Sequence, residues 1–290
     1  MPADFLTKLC GYRPDGNPNT SDRSQDHSVD MGRALFERLG VPADQNEPGD
    51  VGTRFEKLVV ADLSERLEQL APHLSVQRSQ AILNFEQYAH LQTIQTLSRT
   101  RPTLPDALSA LNDAASVLPA HHLSSLEQSL LQVVAAADED AARARSLIDA
   151  VGNESSLRLD IAVHRPLALS GSVSPLNHLV AGLSLKWSLR TDRLQDPISQ
   201  AGRMAAVRRG RMPHVAAVTM EPRPSLLNML ARGSGALDCV YHPDLQALTD
   251  AIDDVCSAPG QRRNRDEFHR LVDQRRIRDY DELVAYLATL

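Results

Sequence analysis

The spacing of apolar residues changes character near residue 155, and that change decides what the chain can fold into. In Leu157-Arg158-Leu159-Asp160-Ile161-Ala162-Val163 the large apolar residues fall on alternate positions, the period of a strand with one buried face. Asp160 is then directed to the other face. After the Gly/Ser/Pro-rich connection SGSVSP, the run Leu183-Ser184-Leu185-Lys186-Trp187-Ser188-Leu189-Arg190 repeats the alternation. It predicts Ser184, Lys186, Ser188 and Arg190 on one face, with Leu183, Leu185, Trp187 and Leu189 on the other. Upstream of residue 155 the period is helical instead. Phe55, Leu58, Val59, Leu63, Leu67 and Leu70 recur at helix spacing, and further helices are predicted near 79–97, 105–115 and 123–150.

Downstream, Asp196-Pro197 reads as a helix start, an Asp cap followed by Pro at the first helical position, leading to Arg209. A strand at His214–Thr219, a helix near 224–232 and a short strand at Asp238–Tyr241 follow. These patterns predict an α/β fold: a central mixed β-sheet flanked by helices, with a largely helical N-terminal half. The chain is expected to form a single domain over residues 1–290. Within it, 1–26 reads as an arm or loop, 27–150 as the helical part, 155–245 as the part that carries chemistry, and 246–290 as C-terminal helices. The stretch 11–30 is rich in Gly, Pro, Asn, Asp and Ser, which favours a solvated arm.

With 290 residues the chain is long enough to bury a substantial core. Its net charge of −6 excludes a generic cationic nucleic-acid coat but not a local basic cleft. No apolar run approaches the roughly 18 to 20 residues that span a bilayer, and the N-terminus does not have the pattern of a signal peptide, so no membrane association is expected. Cys10, Cys239 and Cys256 are scattered, with no C-x-x-C, and support neither a disulfide framework nor a thiolate metal site. A reducing cytoplasm is the expected compartment.

Lys186 is the first candidate for chemistry. The chain has 28 Arg but only three Lys, and this one is flanked by Leu185 and Trp187 in a half-buried strand. Two readings stand: an edge-strand lysine that discourages aggregation, or a compact ammonium set against a phosphate. Asp160 favours the second, because a carboxylate on one strand and a lysine on the next can meet at one site. Such a pair suits metal-assisted phosphodiester hydrolysis. One carboxylate rarely suffices for Mg²⁺, and the position two before the lysine is Ser184, so a second acid must come from elsewhere.

From Lys186 to Arg211 the chain carries a net charge of +5, leaving −11 on the other 264 residues. Charge polarised in this way is the footprint of a polyanion cleft. Within it, Arg190-Thr191-Asp192-Arg193 alternates donors with an acceptor: Arg can bind guanine O6 and N7, and Asp can accept from cytosine N4. An internal salt-bridge cluster at a strand end fits the same composition. Cys239 and His242 read as packing residues. His164, His178 and His214 are too dispersed for a zinc site, and Arg262-Arg263-Asn264-Arg265 reads as a solvated helix.

Four blocks in order, Ser184–Asp196, Arg209–His214, Glu221–Ser225 and Asp238–His242, resemble the NgoMIV family of Type II restriction endonucleases. Gly52-Thr53-Arg54-Phe55-Glu56 is similar to that family's Gly-x-x-Phe-Glu helix. The resemblance implies a PD-(D/E)XK nuclease core that hydrolyses double-stranded DNA with Mg²⁺ at a CCGG-containing palindrome, GCCGGC, leaving 5′ CCGG overhangs. It further implies a homotetramer and a cognate DNA methyltransferase as a separate protein. By motif position it makes Asp160 the metal-binding aspartate, Lys186 the catalytic lysine, Ser184 the small residue two before it, and Glu56 the acid donated by the N-terminal helix. Arg190, Asp192 and Arg193 would read the central CCGG. Two departures stand out. Leu159-Asp160 replaces the family's Pro-Asp, and Gln200, fourteen residues after Lys186, replaces a glutamate. The second leaves open an alternative function: a catalytically impaired, sequence-specific DNA-binding protein. A plain α/β scaffold would have to treat the +5 stretch as coincidence.

Overall fold

A six-stranded sheet runs through the molecule in strand order β1-β2-β3-β4-β5-β6. The computed structural model describes residues 3, 5–92, 109, 113, 130–143, 146, 157–167, 176–190, 194–232 and 235–290. Two compact units are distinguished, one formed by Met1–Gln87 with Arg158–Leu290 and the other by Tyr88–Leu157. The first holds α1 (Asp26–Arg38), α2 (Val51–Leu70), β1 (Ser75–Ala81), β2 (Arg158–Leu167), β3 (Leu176–Lys186), α3 (Gln195–Val207), β4 (His214–Thr219), α4 (Pro224–Ala231), β5 (Cys239–His242), α5 (Leu245–Val255), α6 (Arg262–Asp273), β6 (Ile277–Asp279) and α7 (Tyr280–Leu287). In the second, residues 130–143 are helical.

β1, β2 and β3 pair antiparallel, and β3 through β6 pair parallel. The sheet is therefore mixed, flanked by helices, as the alternation predicted. β4 and β5 are buried along their whole length, and β3 is buried from Leu179 to Leu185. Parallel strands covered on both faces lose the polar alternation and read as near-continuous apolar text. On α2 the buried residues are Phe55, Val59, Leu63 and Leu67, one stripe at helical spacing. Phe55 meets the Trp187 ring edge-on at 5.4 Å, fixing this helix against the end of β3.

Several expectations are corrected. The helix predicted over 79–97 is, in its described part, the strand β1 followed by 3-10 turns at Ile82–Asn84 and Glu86–Leu91. The apolar spacing there reflects burial of Ile82, Leu83 and Phe85 in those turns. Nearly all of the helix expected at 105–115 lies outside the described residues. The strand expected at 183–190 starts earlier, at Leu176, and ends at Lys186. Asp196 does not cap α3: the cap residue is Leu194, without a side-chain hydrogen bond, and Asp196 lies inside the first turn. The stretch 11–30 is not uniformly solvated either. Asn19, Thr20 and Ser21 are buried, and Asn19 Nδ2 donates to the Leu9 carbonyl at 2.8 Å while its Oδ1 accepts from Trp187 Nε1 at 3.1 Å. Asn19 can be buried there because its side chain replaces the water it loses, whereas the buried hydroxyls of Thr20 and Ser21 have no hydrogen-bond partner among the described residues.

Candidate active site

Asp160 sits where the sheet comes apart. The registered pairs of β2 with β3 run from Leu167↔Leu176 to Ile161↔Leu183 and stop one residue short of Asp160. On the other flank, β1 pairs through Arg78↔Ile161 and Gln80↔Leu159, while Ser79 between them has φ 49° and leaves the ladder. A left-handed backbone at a residue with a Cβ costs energy, and here it lies at the register position facing Asp160. With no registered partner on either side, Asp160 turns its carboxylate on the neighbouring strand. Its Oδ2 accepts from the Leu185 backbone N–H at 2.7 Å and from Ser184 Oγ at 3.4 Å, and stands 3.8 Å from Lys186 Nζ. Lys186 and Asp160 are both about 30% exposed at the side chain, 28% and 30%, so the pair is open to a large ligand while anchored in the sheet. Three of the residues singled out from the sequence, Asp160, Ser184 and Lys186, therefore form one cluster.

Glu56 and Gln200 do not join that cluster by any hydrogen bond or ion pair among the described residues. Glu56, on α2, pairs with Arg78 Nη2 at 2.9 Å, one strand away from Asp160. Arg78, which the sequence did not single out, is paired in register with Ile161, the residue after Asp160. Gln200, on α3, donates its amide to the Arg158 carbonyl on β2. A glutamate could not make that bond in its ionised form, because a carboxylate has no proton to give. Gln200 thus ties α3 to the start of β2 in a way an ionised glutamate would not.

Among the described residues no three His, Cys, Asp or Glu side chains converge as a metal cage. The donors at Asp160 nevertheless suit Mg²⁺: a hard, part-exposed carboxylate just past the last registered β2–β3 pair, with substrate phosphate and water to complete the shell. Mg²⁺ is commonly bound through one or two carboxylates plus phosphates, whereas a zinc site would need a converging set of His or Cys donors that is not found among the described residues.

Beyond Lys186 the backbone leaves the strand. Met220 N–H donates to the Trp187 carbonyl at 3.1 Å, and two residues later the Glu221 carboxylate accepts from the Leu189 N–H at 2.7 Å. Arg223 Nη2 donates to the Leu189 carbonyl at 2.6 Å. Glu221 is fully buried, which pushes its carboxyl up from its ordinary range, while Arg223 and the backbone N–H groups of Leu189 and Arg223 pull it down. Arg190 follows, exposed, its carbonyl accepting from Leu194 N–H at 3.0 Å. Asp192 and Arg193 lie outside the described residues.

This arrangement, a carboxylate and a lysine on adjacent strands of a mixed sheet, invites comparison with known nucleases. The sequence model of the NgoMIV restriction enzyme family matches residues 15–289. The chain belongs to that family. "Type II restriction enzyme NgoMIV" from Neisseria gonorrhoeae is 27% identical over 287 residues, covering 94% of this chain and 90% of that protein. The six-stranded sheet flanked by helices is consistent with a restriction-endonuclease-like fold, and membership in a restriction enzyme family implies a nuclease whose partner is DNA. No helix among the described residues is long and apolar enough to cross a membrane.

Proposed function

We propose that this NgoMIV-family chain is a Mg²⁺-dependent Type II restriction endonuclease of the PD-(D/E)XK kind, acting in the cytoplasm on double-stranded DNA. Its site would be a CCGG-containing palindrome, GCCGGC cut to leave 5′ CCGG overhangs. A homotetramer would hold the DNA, and a separate methyltransferase would protect the host's own sites. The observation that carries this reading is the 3.8 Å approach of Lys186 Nζ to Asp160 Oδ2 at the point where the β2–β3 ladder ends.

In this reading Asp160 and Glu56 would hold the metal, Glu56 being paired with Arg78 in its absence. Mg²⁺, when bound, neutralises phosphate charge and lowers the pKa of water. Lys186 stabilises the negative charge that builds on the phosphate oxygens during in-line attack by water on phosphorus. The Leu185 N–H fixes the carboxylate of Asp160, and Ser184 adds a hydroxyl donor to the same oxygen. Gln200 holds α3 on β2. Arg190, Asp192 and Arg193 read the central base pairs from the segment that follows the lysine.

A second reading is favoured by one observation, the engagement of Gln200 with the Arg158 carbonyl at the position where the family carries an acid. It makes the chain a sequence-specific DNA-binding protein impaired in cleavage. Incubation with unmethylated plasmid and Mg²⁺, with Lys186→Ala as control, followed by end-sequencing, separates the two. The nuclease gives discrete fragments with CCGG overhangs that the variant does not produce. Intact DNA together with a specific gel shift on CCGG duplexes selects the second reading.

A further inference from the structure

Leu189 lies three residues beyond the end of β3, yet both of its main-chain polar groups are held as though the sheet continued. The partners are side chains. Glu221 Oε2 takes its N–H at 2.7 Å and Arg223 Nη2 gives to its carbonyl at 2.6 Å. The two side chains are locked to each other by Arg223 Nε to Glu221 Oε1 at 2.5 Å and Nη2 to Oε2 at 3.1 Å, and the Arg223 N–H donates to Glu221 Oε1 at 3.0 Å. Arg223 Nη1 continues to Gln25 Oε1 at 3.2 Å and stands 3.7 Å from Asp22, in the segment that leads into α1. The pair is 0% and 6% exposed at the side chain.

As a source of stability such a pair is inefficient, because desolvating two charges offsets much of their attraction. As a positioning device it is effective, because a carboxylate and a planar guanidinium fix both distance and angle. What it fixes is the residue immediately before Arg190. We propose that Glu221 and Arg223 are a positioning pair that sets the departure of the Arg190 segment at a fixed distance from Lys186, so that base readout and phosphate hydrolysis stay in register. The inference rests on the reading of Arg190 as a base-reading residue. Neither Glu221 nor Arg223 touches the DNA in this account. Their effect on specificity passes entirely through the Leu189 backbone.

The test is the ratio of affinities for a duplex with the CCGG palindrome and for one with a single central base pair changed, read by fluorescence anisotropy with Ca²⁺ in place of Mg²⁺. Two variants are compared with the wild type: Glu221→Gln, and the double variant E221M/R223M, which removes both charges together and so leaves no buried charge unpaired. The expected result is a fall of about tenfold or more in the ratio, as a small misplacement costs a bidentate contact. Affinity for the altered duplex should change less than twofold. A wild-type ratio in a folded variant overturns the inference and leaves the pair a structural one, while the endonuclease reading stands. A wild type that does not discriminate at all overturns both. A second measurement needs no variant. The Leu189 amide should exchange with solvent as slowly in the free protein as in the complex, and protection that arises only on adding duplex overturns the pre-set stem.

Discussion

Lys186 and Asp160 are legible in the sequence because an alternating strand exposes any charge that interrupts it. Their 3.8 Å approach follows from adjacent strands whose ladder stops just before the aspartate. Gln200 is legible as a departure from the family pattern, but its hydrogen bond to the Arg158 carbonyl is not, because the partner is 42 residues away. That bond makes Gln200→Glu an informative change. The new carboxylate cannot donate and is repelled by the carbonyl oxygen, so equilibrium unfolding in urea should show a loss of about 1 kcal/mol near neutral pH. Turned away from β2, the same carboxylate becomes available to a cation. Half-maximal cleavage should then require several-fold less Mg²⁺, and an unchanged requirement would mean that position 200 is out of the metal's reach. Arg190 makes a separate prediction at this scale. Replacing it by Ala should cost about 1 to 3 kcal/mol of discrimination between CCGG and altered duplexes, measured as the ratio of dissociation constants.

Strands that are buried on at least one face announce themselves, and those that are not stay hidden. β4 was readable over its full length because His214–Thr219 is apolar apart from its ends. β1, Ser75–Ala81, has Val76 as its only large apolar residue, and β6 is three residues long, so neither offers a period to detect. The clamp of Glu221 and Arg223 escaped detection for a related reason: its partner, Leu189, lies 32 and 34 residues earlier, and no local pattern encodes the meeting. The end of β5 carries a pH dependence that only the fold reveals. His242 is completely buried; its Nδ1 lies 2.8 Å from the Asp244 carbonyl, and its Nε2 has no hydrogen-bond partner among the described residues. Burial pushes its pKa down to about 4 from 6.5. The folded state therefore prefers the neutral ring, whereas the unfolded chain takes up a proton first as the pH falls through 6.5. Stability from this residue is complete above that value and is lost progressively down to about pH 4. The stability difference between wild type and His242→Leu, from urea unfolding, should shift by about 3 kcal/mol between pH 7.5 and pH 4.5, in disfavour of the wild type at the lower pH. An unchanged difference would mean that the ring finds an acceptor when protonated.

For the whole molecule, the uneven charge and the symmetry of the proposed substrate make linked demands. A body carrying −11 outside residues 186–211 is repelled by DNA except where the +5 segment faces it, so affinity must be concentrated in one cleft per chain. A palindrome presents the same half-site twice, in opposite orientation. One cleft with one Arg190 segment can read only one half. Two chains related by a two-fold axis are the smallest assembly that reads both and places one Lys186–Asp160 pair at each strand. Light scattering on the purified protein should therefore give at least twice the chain mass of 31.8 kDa, and four times that mass for the tetramer. Raising the salt from low to physiological concentration should weaken binding steeply without releasing the oligomer if the subunit contact is apolar, because counterion release acts on the DNA contacts alone. A stable monomer that still cuts both strands at one site would require two independent encounters per cleavage. Nicked circular plasmid would then accumulate ahead of linear product, whereas the symmetric assembly converts supercoiled to linear DNA in a single binding event.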